Sequence, residues 1–187
     1  MTIDNLKLLM APPADPIYPG SQKEWSAFQK KIGLRFPRDY FTLVNTYGSG
    51  RFLAGEFKVA NPFDPNDEGF AEFELKRLRE TKASAPNEVP YPLFPESGGP
   101  YPFGTDGNGN TFLWITDSGS DKWAIACFNS EDYSETVNHS LIEFLVLLAS
   151  NLLEINRKKF WGSDFPKDQL EFMPRRLPGR RPRKPRS

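Results

Sequence analysis

The sequence predicts an α+β fold: helices lead, strands follow, and a helix closes the order. Three observations carry this. Paired helical signals run from Ser21 to Gly48, a β-rich stretch runs from Thr111 to Phe128, and a nearly all-apolar helix begins at Ser140. At 187 residues the chain fits one domain, since domains cluster at roughly 100–200 residues. Aromatic residues make up 14%, which argues against wholesale disorder.

The elements follow in order. Leu6, Leu8, Leu9 and Met10 form a short apolar patch, and the prolines of APPADPIYPG forbid a helix across the next stretch. Ser21 opens SQKE, a capping box with Glu24. Trp25, Phe28 and Ile32 then recur at helical spacing, and Gly33 is placed to end the helix. Pro37 suits the first turn of a second helix whose face carries Tyr40, Phe41, Val44 and Tyr47, with Gly48 as its stop. RFLAGEFKVANPF reads as one or two short strands closed by Pro62. Residues 66–82 read as a helix with acids leading and bases trailing, matching the helix dipole; Phe70, Phe73 and Leu78 are assigned to its buried side.

Residues 86–102 hold six prolines and allow at most a short edge strand at Tyr91, Leu93 and Phe94. Thr111–Thr116 and Lys122–Phe128, joined by the turn-forming DSGSD, make the clearest antiparallel hairpin. Phe112 and Trp114 share one strand face, Leu113 and Ile115 the other; both faces are covered, or one is a binding surface. Ser140 and Glu143 form a second capping box before LIEFLVLLASNLL, which is apolar nearly all round and so deeply buried, with Lys158 and Lys159 near its C-terminal end. Trp161, Phe165, Leu170 and Phe172 read as a final segment packing back.

The formal net charge of zero joins two unlike parts. Seven of the 24 basic residues lie in Arg175–Ser187, which has no acid, leaving 17 against 24 acids in residues 1–174, a net of −7. The Pro- and Arg-rich tail, RRLPGRRPRKPRS, cannot bury enough apolar surface to offset ordering entropy, so it reads as disordered, and its removal is expected to leave the fold intact. It can contact nucleic acid weakly or the acidic body itself. One Cys excludes an internal disulfide and a Cys-based zinc cluster. No apolar run reaches the ~20 residues of a membrane span, and MTIDNLKLLMAPP lacks a secretory pattern. The expectation is a cytoplasmic protein with no membrane association.

The sequence holds no recognisable catalytic set. Asp106, Asn108 and Asn110 match positions of a calcium loop with Asp117 at position twelve, but Thr111 replaces the required glycine, Asp117 is shorter than the usual Glu, and the flanks are not two helices. A turn is the better reading, with Gly104, Gly107 and Gly109 supplying positive φ and Asp and Asn bonding their own backbone. Cys127, within WAIACF, reads as a buried apolar residue, and His139 beside a helix N-terminus is a poor base for it. The carboxylate pairs Asp67–Glu68 and Glu131–Asp132 sit in polar, solvated segments, where raised pKa values are not indicated. The expectation is therefore no catalytic residue, metal or cofactor, and a protein that binds rather than reacts; its −7 body would steer it to a basic partner.

Four segments in order resemble the SMI1/KNR4 family, also called the SUKH superfamily: EWSAFQKKIGLRFPRDYFTLVNTYGSG, FGTDGNGNTFLWIT, WAIACF and SLIEFLVLLAS. The resemblance is strongest over residues 21–150 of a domain taken as 1–174. It implies a mixed, mostly antiparallel sheet flanked by helices. It also implies a role: bacterial members are often immunity proteins that bind and neutralise polymorphic or contact-dependent toxins, many of them nucleases, while fungal members regulate cell-wall synthesis and signalling. Trp25, Gly48, Gly104, Asp106, Gly107 and Asn110 match the family pattern and take structural roles first. For partner contact the expected residues are Asp106 and Asn108 on one exposed loop, with Asp117 and Asp121 on the hairpin turn. A cognate basic toxin is the expected partner. The alternative is an intracellular regulatory or scaffold module with no toxin link.

Overall fold

A computed structural model of the chain describes residues 1–117, 119–129 and 134–177. The expected α+β architecture is present. Among these residues the helices are α1 (Ile3–Leu9), α2 (Gln22–Ile32), α3 (Arg38–Tyr47), α4 (Phe70–Ser84), α5 (Leu141–Ala149) and α6 (Arg157–Phe160). The strands are β1 (Gly50–Arg51), β2 (Phe57–Val59), β3 (Pro100–Asp106), β4 (Thr111–Ile115), β5 (Ile125–Phe128), β6 (Ser134–Val137) and β7 (Met173–Pro174). β2 to β6 form one sheet in sequence order with every ladder antiparallel, and β1 pairs with β7 in a separate ribbon. A lone parallel bridge joins Ile17 to Gly48.

The cap signals translate into geometry. Ser21 Oγ accepts from the Glu24 N–H at 3.2 Å while the Ser21 N–H donates to the Glu24 carboxylate at 2.7 Å. This satisfies two orphan donors of α2 and holds the Glu24 carboxyl below its ordinary range. Gly33 ends α2 at φ 75°. Gly48 ends α3 at φ 65°, where its missing side chain also admits the Ile17 backbone; a Cβ there would lie 2.4 Å from the Ile17 carbonyl oxygen. At α5 only half of the second capping box forms. Ser140 Oγ accepts from the Glu143 N–H at 3.4 Å, but the Glu143 carboxylate turns to His139 Nδ1, also at 3.4 Å. Asp39 of α3 supplies a further cap, accepting from the Ile142 N–H at 3.1 Å, and burial raises its pKa despite these bonds.

All five residues of β4 are buried, so both faces of the hairpin are covered. On one face Phe112 meets Phe57 and Phe144 of α5, with ring centroids at 4.7 and 5.7 Å, and Trp114 meets Tyr40 of α3 at 5.0 Å. On the other, Arg77 of α4 donates to Thr111 Oγ1 at 2.8 Å and Tyr91 packs on Phe128. Such ring pairs contribute about 0.5–1.5 kcal/mol each beyond the area they bury.

Several expectations are corrected. The apolar patch, to which the sequence assigned no element, forms α1, capped where the Thr2 N–H donates to Asn5 Oδ1 at 2.9 Å. Phe73 is 65% exposed, and the buried face of α4 carries Leu78 as expected, with Glu74 and Leu75 beside it. Glu74 tolerates burial because Arg77 and Thr111 partner its carboxylate. Tyr91, Leu93 and Phe94 form no strand, whereas Pro100–Asp106 does. α5 stops at Ala149, so Lys158 and Lys159 belong to α6. Phe172 packs back between Tyr47 and Phe52 as expected, at 4.9 and 4.8 Å. Arg175, assigned by sequence to the disordered tail, is held. Its N–H donates to the Ser49 carbonyl at 2.9 Å, and its guanidinium pairs with the buried Asp64 and lies over the Tyr18 ring. Residues 178–187 and the pair Glu131–Asp132 lie outside the described residues.

Candidate functional site

Asp106 ends β3, and the DGNGN turn that follows is a clasp rather than an open loop. Asp106 Oδ1 accepts from the backbone N–H groups of Asn108 and Asn110 at 2.9 and 3.0 Å. Oδ2 accepts from Asn110 Nδ2 at 2.6 Å and from the Trp161 indole at 2.8 Å. Asn108 and Asn110 donate their amides to the Phe160 carbonyl at 3.1 and 2.9 Å. The turn thereby holds α6 and Trp161 against the sheet, with Trp161 stacked on Phe112 at a 3° interplanar angle. Asp106 is buried, and desolvation pushes its carboxyl pKa up although these hydrogen bonds pull it down. Its expected role in an exposed partner-binding loop is therefore corrected: both oxygens are taken by donors from within the chain. The same occupancy counts against the calcium-loop pattern.

The turn glycines also differ from expectation. Gly109 takes positive φ, 80°, while Gly104 and Gly107 do not. Gly104 permits close approach instead, since a Cβ there would lie 2.8 Å from the Lys58 carbonyl oxygen. Trp25 is a core residue, packed against Phe63, Phe41 and Tyr40 at 4.9, 5.2 and 5.3 Å.

Of the other expected contact residues, Asn108, Asp117 and Asp121 are exposed. Asp121 accepts from the Arg38 N–H at 2.8 Å and its Nε at 2.7 Å, which holds its carboxyl below the ordinary range. Cys127 lies fully buried in β5, where burial pushes its thiol pKa well up. Among the described residues no group of three or more His, Cys, Asp or Glu side chains could hold a metal.

Sequence reasoning did not find a cleft of about 300 Å³ between α2, the 60–72 segment and β3. Phe28, Tyr40, Phe63, Phe70 and Tyr101 line it with Pro62, Pro65 and Pro102. Its acids fall into two classes. The Asp67 carboxylate is buried, paired with Lys58 and accepting from the Asn61 N–H at 2.8 Å, and Asp64 is buried against Arg175. The solvated placement of Asp67 is thus corrected. Glu68 and Glu72 are exposed, and Glu72 adds to the burial that raises the Tyr101 hydroxyl pKa. Lys31 stands opposite on α2. The legible signal was the run ANPFDPNDEGF, whose density of Pro, Phe and acid has no use in a plain loop. Such a surface offers flat apolar walls and carboxylates, and suits a proline-containing cationic segment.

A family comparison matches the chain over residues 22–145 with the SMI1-KNR4 cell-wall family. The chain belongs to this family. The matched span runs from the first residue of α2 into α5 and so contains the whole five-stranded sheet, the DGNGN turn and the cleft. α1, α6 and the β7 strand lie outside it. No curated protein and no solved structure matches the chain. No helix among the described residues is long and apolar enough to cross a membrane.

Proposed function

We propose that this chain is a non-catalytic, cytoplasmic binding protein of the immunity type, which neutralises a basic toxin by covering its working surface. The observation that carries the reading is the charge division: residues 1–174 hold 24 acids against 17 bases. A field of that sign speeds encounter with a cationic partner and disfavours nucleic acid. A nuclease toxin must itself be basic to hold phosphates, so an acidic cover competes with substrate by charge as well as by shape. Asp117 and Glu72 are exposed carboxylates suited to this, while Asp106, Asp67 and Asp64 are committed internally.

The test is to read the genes beside this one and co-express the chain with any toxin domain they encode. The expected result is protection of the cells and a stoichiometric complex whose affinity falls steeply with salt. Absence of both protection and complex sinks the proposal. The cell-wall description of the matched family favours a second reading, a regulatory or scaffold module without a toxin. Stable host proteins co-purifying with the chain, with no effect on any neighbouring toxin, would decide for it.

A further inference from the structure

The cleft described above has aromatic and proline walls and a carboxylate rim at Glu68 and Glu72. The end of the described chain reaches its wall through one side chain. β7 carries the backbone past β1, the Arg175 N–H locks onto Ser49, and the Arg175 guanidinium pairs with Asp64, which lines the cleft. Two residues later, after Leu177, the sequence reads PGRRPRKPRS, with five basic side chains, three prolines and no acid. Ten residues reach about 31 Å as polyproline II, well beyond the reach of the Arg175 side chain that touches Asp64. Proline fits aromatic walls with little entropy to lose, and arginine pairs with carboxylates bidentately. Arg175 already shows one such residue paired with an acid of this wall, Asp64, while its guanidinium lies over the ring of Tyr18, which does not line the cleft.

We propose that residues 178–187 are the occupant of this cleft. A short tether gives the segment an effective concentration in the millimolar range, so contacts that would be weak between separate molecules suffice within one. A basic partner approaching the same acids must displace the segment first, which makes the tail a built-in competitor. The inference goes beyond the toxin reading and stands without it.

The test uses the full chain with Ser187→Cys carrying a nitroxide label; Cys127 is fully buried and escapes labelling. Paramagnetic broadening is expected at amides of residues 62–72 and 101, and not at β5. It is expected to vanish in Glu68→Lys/Glu72→Lys, in Arg180→Ser/Arg181→Ser/Arg183→Ser, and at 1 M salt, where the Debye length is about 3 Å. The Arg variants leave every described residue unchanged, so loss of fold cannot mimic the result. Equal broadening over the whole surface, or broadening that survives both variants, overturns the proposal. Broadening that grows with protein concentration assigns the contact to a second copy and overturns it too.

Discussion

Replacing Asp106 by Asn keeps the side chain's size and removes its charge. Asp106 now accepts from four donors, two on each oxygen. An amide has one oxygen. In either orientation its NH2 faces two donors: the N–H groups of Asn108 and Asn110, or Asn110 Nδ2 and the Trp161 indole. Each buried donor left without a partner costs about 1–3 kcal/mol. Removing a buried carboxylate returns part of this, because burial already disfavours the charge. The net expectation is about 3 kcal/mol of lost stability, a fall in Tm of about 6–12 °C for a chain of this size. The pH dependence has a definite sign. Asp106 has a raised pKa when folded, so its contribution is fully present below the unfolded value and fades as pH rises through the folded one. The gap between wild type and Asp106→Asn should therefore widen on acidification from neutrality toward that range. Urea unfolding followed by tryptophan fluorescence at several pH values measures both quantities. A loss under about 1 kcal/mol at pH 7, or a gap that narrows in acid, would refute the reasoning.

Other outcomes follow from the same contacts. Ending the chain after Leu177 should keep the fold and lower Tm by no more than about 2–4 °C, the equivalent of ~1 kcal/mol, whereas ending it after Pro174 strands the buried Asp64 and should cost about 3–5 kcal/mol, read by calorimetry. Gly33→Ala meets nothing within 4 Å and should cost about 1 kcal/mol for its φ of 75°; Gly48→Ala, facing the Ile17 backbone, should cost about twice that or more in denaturant titration. Phe73→Ser should change stability by under about 0.5 kcal/mol, while Leu78→Ala should cost about 2–5 kcal/mol. Cys127 should react with a thiol reagent only at the rate of global unfolding, checked by mass spectrometry in rising urea.

What was legible in the sequence was local. The Ser21–Glu24 box, the stops at Gly33 and Gly48 and the β-branched run at 111–116 are short-range signals, and each forms as read. The misses have non-local causes. β3 was hidden because Pro100, Pro102 and Gly104 read as breakers. They are tolerated because β2 pairs only with Gly104–Asp106, leaving the proline end open on that side, and the ladder to β4 shifts register between Pro102 and Gly104. Asp106 reads as a surface turn residue because turns favour Asp; its burial comes from Trp161, 55 residues away, which spacing cannot reveal. Phe73 misled because apolar periodicity alone did not register that Glu74 would be buried with Arg77 and Thr111 as partners. The cleft is assembled from α2, residues 60–72 and β3, and no single stretch announces it.

The β1–β7 ribbon sets an order of events during synthesis. Gly50 and Arg51 wait for Pro174 and Met173, about 120 residues later in the chain. At about 5–20 residues per second the ribosome needs roughly 6 to 25 s to supply that partner. Throughout that interval Tyr47 and Phe52 lack Phe172, and Asp64 lacks Arg175. The nascent chain can assemble α2, α3 and much of the sheet early, yet it carries an open aromatic seam until residues 172–175 emerge. A chaperone that binds the unfinished protein would find its target there, around residues 47–52, and would be released by the arrival of the C-terminal strand.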